Sequence, residues 1–173
     1  ALAGIKEANM ALVCEGYMDA LSFYAAGIAY AVAPLGTAFT LKQAQLIHRR
    51  ADRILLCFDS DEAGQRAAEK ACCTAAQAGL EASILRMESG KDASEILENF
   101  GEEALKKVVK CSISTVDFFA LRAQSQFQIE TVEGKAKASA FLFPYLDALD
   151  SEIKRNATID AYAREIGINP ASL

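Results

Sequence analysis

Asp59 and Asp61 stand two residues apart, directly after the apolar run Arg53–Phe58. In an extended segment, residues i and i+2 project to the same side, so both carboxylates can face one cation. Like charges held that close repel unless something neutralises them, and a bound Mg²⁺ is the usual remedy. Two more acids occupy comparable places: Glu15 follows the run Asn9–Cys14, and Asp92 follows Ala82–Met87. The chemistry open to such a set is the holding of a hard divalent cation by carboxylate oxygens. Each acid also has a plainer reading. Asp61 suits a helix N-cap, with Glu62 favouring the helix dipole. Asp92 and Glu95 have the spacing of a capping box. Glu15 alone reads as a solvated loop residue, and Asp19 either faces Glu15 across one helical turn or lies on the surface. Convergence favours the metal reading, because three separate strand ends present acids to one edge.

The elements that must position these acids alternate between two periods. Asn9–Cys14, Ile28–Ala33, Arg53–Phe58 and Ala82–Met87 read as strands, the apolar N-terminal stretch running on into the first of them. Met18–Ala26, Leu41–Arg50 and Asp61–Ala78 read as helices, the first and last ended by Gly27 and Gly79, and Asp92–Phe100 opens a further helical stretch. This alternation predicts an α/β fold with a parallel sheet covered on both faces. Ligands of such folds gather at the carboxyl ends of the strands, where the acids are. Gly64, in the first turn of its helix, would let a substrate or a neighbouring backbone approach closely. From about Val108 the pattern turns helical, with helices expected over Ile113–Gln126, Val132–Ile153 and Ala157–Ile166. The boundary falls near Lys110–Ser114, dividing residues 1–110 from 111–173. The chain stops just after Asn169-Pro170, a good helix start, so a truncated chain is expected.

Composition narrows the class. At 52 % hydrophobic residues the chain can bury a core, which excludes wholesale disorder. No apolar run reaches the roughly 18 residues of a membrane span, and a cytoplasmic protein is expected. Five cysteines without a CxxC pair, and a single histidine, argue against zinc and against a disulfide framework. A net charge of −5 is not the footprint of a module that grips nucleic acid by charge alone; it fits an acidic metal site, with any basic groove supplied elsewhere. Asp59-Ser60-Asp61 begins like an EF-hand loop, but Ala63 and Lys70 stand where ligands are required. There is no GxxxxGK[ST] loop, HExxH pair or GxSxG elbow.

Four segments together are familiar. Glu15-Gly16-Tyr17-Met18-Asp19 resembles the EGYxD motif of bacterial primases of the Toprim class. Leu35-Gly36-Thr37 resembles their LGT loop, and Asp59-Ser60-Asp61-Glu62-Ala63-Gly64 their DxDxAG motif. Gly90-Lys91-Asp92-Ala93-Ser94 resembles their G-x-DPD segment, with Ala93 for the proline and Ser94 for the second aspartate. The C-terminal helices, including Glu133-Gly134-Lys135, resemble the helical subdomain that follows Toprim in primases.

The resemblance implies a Toprim-type parallel sheet flanked by helices, followed by a small all-helical subdomain. It implies catalytic roles for Glu15, Asp59 and Asp61, and Mg²⁺ or Mn²⁺ held by Glu15, Asp59, Asp61 and Asp92. The implied activity is synthesis of short RNA primers on a single-stranded DNA template from ribonucleoside triphosphates. The replicative helicase would be met through a domain absent from this chain. A chain this short, part of a larger polymerase region, is expected to be weakly active or inactive alone. The alternatives are another Toprim nuclease or topoisomerase fragment, a receiver-like signalling module with Asp59 as phosphoacceptor, and a plain protein-binding module.

Overall fold

The computed structural model describes residues 1–34, 36, 38–87 and 92–173. The chain divides into two compact units, Ala1–Ile113 and Ser114–Leu173.

The first unit is built on a sheet in the order β2-β1-β3-β4-β5, from β1 (Met10–Cys14), β2 (Ala31–Val32), β3 (Arg53–Cys57), β4 (Glu81–Leu85) and β5 (Ser112–Ser114). β1 pairs in parallel with β2 and β3, and β3 in parallel with β4. The two central strands are near-continuous apolar runs because helices must cover both faces of a parallel sheet. From Ala11 to Cys14 and from Ile54 to Cys57 every residue is buried. Each fully buried Leu or Val there is worth roughly 1.5–3 kcal/mol.

The helices around this sheet are α1 (Leu2–Ala8), α2 (Tyr17–Ala25), α3 (Leu41–His48), α4 (Glu62–Gln77), α5 (Ala93–Phe100) and α6 (Glu102–Lys110). α3 opens with a capping box between Thr40 and Gln43. α4 turns Ala68, Ala71, Cys72 and Ala75 inward, so small side chains let it sit close to the sheet. The expected strand over Ile28–Ala33 is only two residues long. The apolar start of the chain is a helix rather than a lead-in to β1, ended by Asn9 in the left-handed conformation at φ 46°. Gly101, at φ 78°, splits the helical stretch after Asp92 into α5 and α6.

The second unit contains α7 (Thr115–Gln126), α8 (Val132–Ala148) and α9 (Glu152–Ile166), then a 3-10 turn at Pro170–Ser172. The expected helix over Val132–Ile153 ends at Ala148, because Ser151 starts a new one by accepting the Lys154 N–H. Ser114 and Thr131 cap α7 and α8 in the same way. Phe119 stacks on Tyr145 at 5.2 Å, and the Tyr162 hydroxyl donates to the Ala138 carbonyl at 2.8 Å. Lys135 Nζ donates to the Gly167 carbonyl at 2.7 Å, so the Glu133-Gly134-Lys135 motif ties α8 to the end of α9.

Candidate metal centre

The register of the two central strands decides which acids can meet. Cys14 pairs with Cys57, so β1 and β3 end level with each other. The Glu15 N–H adds one more rung, donating to the Cys57 carbonyl at 3.1 Å. Glu15 then turns its carboxylate across the strand end, where Oε2 accepts the Asp59 N–H at 3.3 Å. The acidic segments that follow β1 and β3 are thereby joined directly. The thiols of Cys14 and Cys57 lie buried beneath them, and their mutual hydrogen bond, together with burial, pushes the Cys14 thiol well above the usual range. They are packing groups.

Asp61 stands at the mouth of α4. Its Oδ1 accepts the Gly64 N–H at 2.8 Å, so the capping reading holds. Gly64 is required by the backbone of Asp59: a Cβ there would lie 2.8 Å from its amide nitrogen and would clash with its carbonyl oxygen. The glycine therefore lets the first turn of α4 fold onto Asp59, with the Gln65 side-chain amide donating to the Asp59 carbonyl at 3.1 Å. Asp92 likewise caps α5, its Oδ1 accepting the Glu95 N–H at 2.8 Å. Gly90 and Lys91 of that segment, and Leu35 and Thr37 of the Leu35-Gly36-Thr37 loop, lie outside the described residues.

Capping does not exhaust these acids, since an ionised carboxylate offers about four lone-pair sites and each cap uses one. Among the described residues, however, no three His, Cys, Asp or Glu side chains gather closely enough to enclose a metal. The donor set thus suits a hydrated hard cation, which keeps several waters and uses one or two carboxylates, rather than an all-protein cage.

Sequence reasoning missed two features. A cleft of about 500 Å³ opens beside Glu15, with Phe39 and Phe58 lining it and Arg66 and Lys70, one turn apart on α4, on its wall. The i, i+4 spacing of the two cations was the available signal. The second is Asp19. It faces neither Glu15 nor open solvent; its Oδ1 accepts the Ala93 N–H at 3.1 Å. Burial raises its pKa most, the Ala93 N–H opposes that shift, and the Asp92 charge adds to it. Ser94 is also turned away from the acids, its hydroxyl lying 3.1 Å from that of Ser22.

Comparison with known proteins agrees with this fold. A family model described as Toprim-like matches residues 12–97, and one described as the DnaB-helicase binding domain of primase matches 116–171. The DNA primase of Treponema pallidum is 38% identical over 168 residues, covering 97% of this chain and 28% of that protein. The DNA primase of Escherichia coli is 30% identical, covering 94% and 28%. Among solved structures, a DnaG primase catalytic domain bound to ssDNA superposes with a TM-score of 0.80 at 29% identity, covering 95% of this chain and 53% of that one. The zinc-binding and RNA polymerase domains of the Aquifex aeolicus primase give 0.80 at 26%, covering 98% and 40%. The chain thus spans just over a quarter of the length of these two curated relatives, 28% in each case. The topoisomerase, nuclease and receiver alternatives find no support in these matches. The expected association of the family with a replicative helicase agrees with the description of the model matched by the helical unit.

Proposed function

The chain belongs to the bacterial DNA primases of the Toprim class, and from that premise we propose that it supplies the divalent-metal centre with which a primase synthesises short RNA primers on single-stranded DNA. One observation carries the reading. The β1–β3 register places Glu15 against Asp59, and Asp61 follows at the start of α4. Asp59, Asp61 and Asp92 would hold Mg²⁺ or Mn²⁺, with Glu15 beside them as a further ligand or as the group that orients the attacking hydroxyl. The bound ions, when present, supply the positive charge that the entering and leaving oxygens of nucleotidyl transfer require.

The chain's own residues have separable tasks. Glu15 holds the Asp59 backbone in place through its carboxylate. Asp61 and Asp92 divide their oxygens between a helix cap and the site. Arg66 and Lys70 present cationic groups to the cleft beside Glu15, the sign that a ribonucleoside triphosphate needs. The first unit would be the metal-binding domain, and the helical unit a contact for the replicative helicase. Template, primer and nucleotides would be shared with a larger polymerase region, since a net charge of −5 gives this chain little electrostatic hold on DNA. Among the described residues no helix is long and apolar enough to cross a membrane.

The test is a Mn²⁺ titration of this chain followed by electron paramagnetic resonance, with wild type against Asp59→Asn. Binding that weakens at least tenfold supports the reading. Equal affinity in the two proteins places the metal elsewhere and overturns it.

A further inference from the structure

Nothing in the proposed chemistry uses Asp19, although it closes the Glu15-Gly16-Tyr17-Met18-Asp19 motif. We propose that Asp19 is a positioning residue. Through its hydrogen bond to the Ala93 N–H, and with Ser22 as a second tie, it holds the start of α5, and so Asp92, in register with the end of β1. The proposal rests on the metal reading above and adds to it the device that sets the place of the third acid.

Asp19 lies on α2, one turn after Glu15, and its carboxylate is directed at α5. Oδ1 accepts from Ala93 N at 3.1 Å. The other oxygen lies on the Gly16 side, 3.2 Å from where a Cβ on Gly16 would stand, so the same group reaches the turn that follows β1. A half-buried carboxylate is costly to desolvate and persists where N–H donors meet its charge. Here those donors come from the Gly16 turn and from the first residues of α5, the two pieces that must be aligned.

A second contact runs parallel to the first. Ser22 is three residues further along the same face of α2, and Ser94 is one residue further along α5. The Ser22 hydroxyl donates its single proton to the Met18 carbonyl at 3.0 Å, so the Ser94 hydroxyl is the donor of the 3.1 Å bond between them. Two ties at successive positions fix a direction as well as a point. Beneath them Phe23, Ala93 and Ile96 are fully buried in one apolar cluster with Cys14, so α5 cannot slide along α2 without opening that core. Asp92 caps the same helix, and its placement therefore follows from the tie.

The hypothesis separates acceptor from charge. Asp19→Asn keeps an oxygen that can accept the Ala93 N–H; Asp19→Ala removes it. Amide hydrogen exchange at Ala93 and Ser94 and Mn²⁺ affinity are measured on the whole chain. The Ala variant should exchange roughly three- to tenfold faster at Ala93, the worth of one net hydrogen bond, and should lose Mn²⁺ affinity. The Asn variant should restore both. A metal ligand would behave differently, with Asn and Ala losing Mn²⁺ affinity alike, and that result overturns the proposal. So does unchanged exchange at Ala93 in the Ala variant, or faster exchange with Mn²⁺ affinity intact. Should Asp19→Ala not fold, Ser22→Ala removes only the second tie. It should shift exchange at Ser94 and Mn²⁺ affinity in the same direction by less, and no shift in either overturns the proposal. Wild-type chain that binds no Mn²⁺ overturns the metal reading instead, and the exchange measurements then decide the tie by themselves.

Discussion

Gly64→Ala is a substitution for which local propensity and tertiary structure predict opposite signs. In the body of a helix alanine is favoured over glycine by about 1 kcal/mol, and the loss of glycine's freedom in the unfolded chain works in the same direction. The structure reverses this. The new Cβ would stand 2.8 Å from the Asp59 nitrogen and 2.9 Å from its carbonyl carbon, where carbon contacts normally begin near roughly 3.5 Å. The obstacle is backbone, which has no rotamer by which to escape. Overpacking of this kind costs typically 1–3 kcal/mol. Taking the upper end against the propensity gain leaves a net loss of about 2 kcal/mol, or roughly 4–8 °C in Tm for a chain of this size. Relief requires α4 to lift from Asp59, which breaks the Gln65 contact and separates Asp59 from Asp61. Thermal melting and Mn²⁺ titration should therefore fall together. A Gly64→Ala protein that melts at or above the wild-type temperature would refute the argument that the α4 turn is folded onto Asp59.

Three further outcomes follow from the same geometry. Asp61→Asn keeps a capping oxygen for the Gly64 N–H and should melt near wild type while binding Mn²⁺ more weakly. Asp61→Ala should also lose about 1 kcal/mol of stability, and equal melting of the two variants would show that the cap contributes nothing. Glu15→Gln retains an acceptor for the long 3.3 Å bond to Asp59, so its stability should stay within about 0.5 kcal/mol of wild type. Primer synthesis by a full-length primase carrying this segment should drop sharply, whereas an active but unstable variant would remove Glu15 from the site. Ser94→Asp, which the family pattern predicts to tighten divalent binding, should instead leave it unchanged or weaker and lower the Tm. The added carboxylate would face Ser22 beside the already disfavoured charge of Asp19; tighter Mn²⁺ binding would show that residue 94 can turn towards the acids.

Several of these conclusions were legible in the residues. The runs at Met10–Cys14 and Arg53–Cys57, and the helix over Glu62–Gln77 with Asp61 before it, follow from hydrophobic period and capping chemistry, which act over a few neighbouring residues. The family followed from four short motifs in order. Other elements were misjudged because their signals are weak or non-local. α1 has one buried residue, Ile5, in seven, so its apolar composition said little about its period. β2 is only two residues long. Asp150-Ser151 breaks the long helix after α8, a capping signal that an otherwise unbroken helical pattern hid.

By itself the sequence determined which residues carry charge, which segments are apolar enough to be buried, and where helices can begin. Those are properties of single residues and of spacings no longer than a helical turn. Tertiary structure decided what each charge faces. Nothing local distinguishes Asp19 from a surface acid, because its partner Ala93 lies 74 residues away and only the docking of α5 on α2 brings them together. A glycine in the first turn of a helix signals that something approaches Gly64 closely, but nothing local shows that it is the Asp59 backbone. Nor does spacing show that Ser94, two residues after Asp92, turns away from the acids toward Ser22. Hydrogen bonds and close packing act at about 3 Å between residues far apart in the chain, and such proximities exist only once the sheet register has been set.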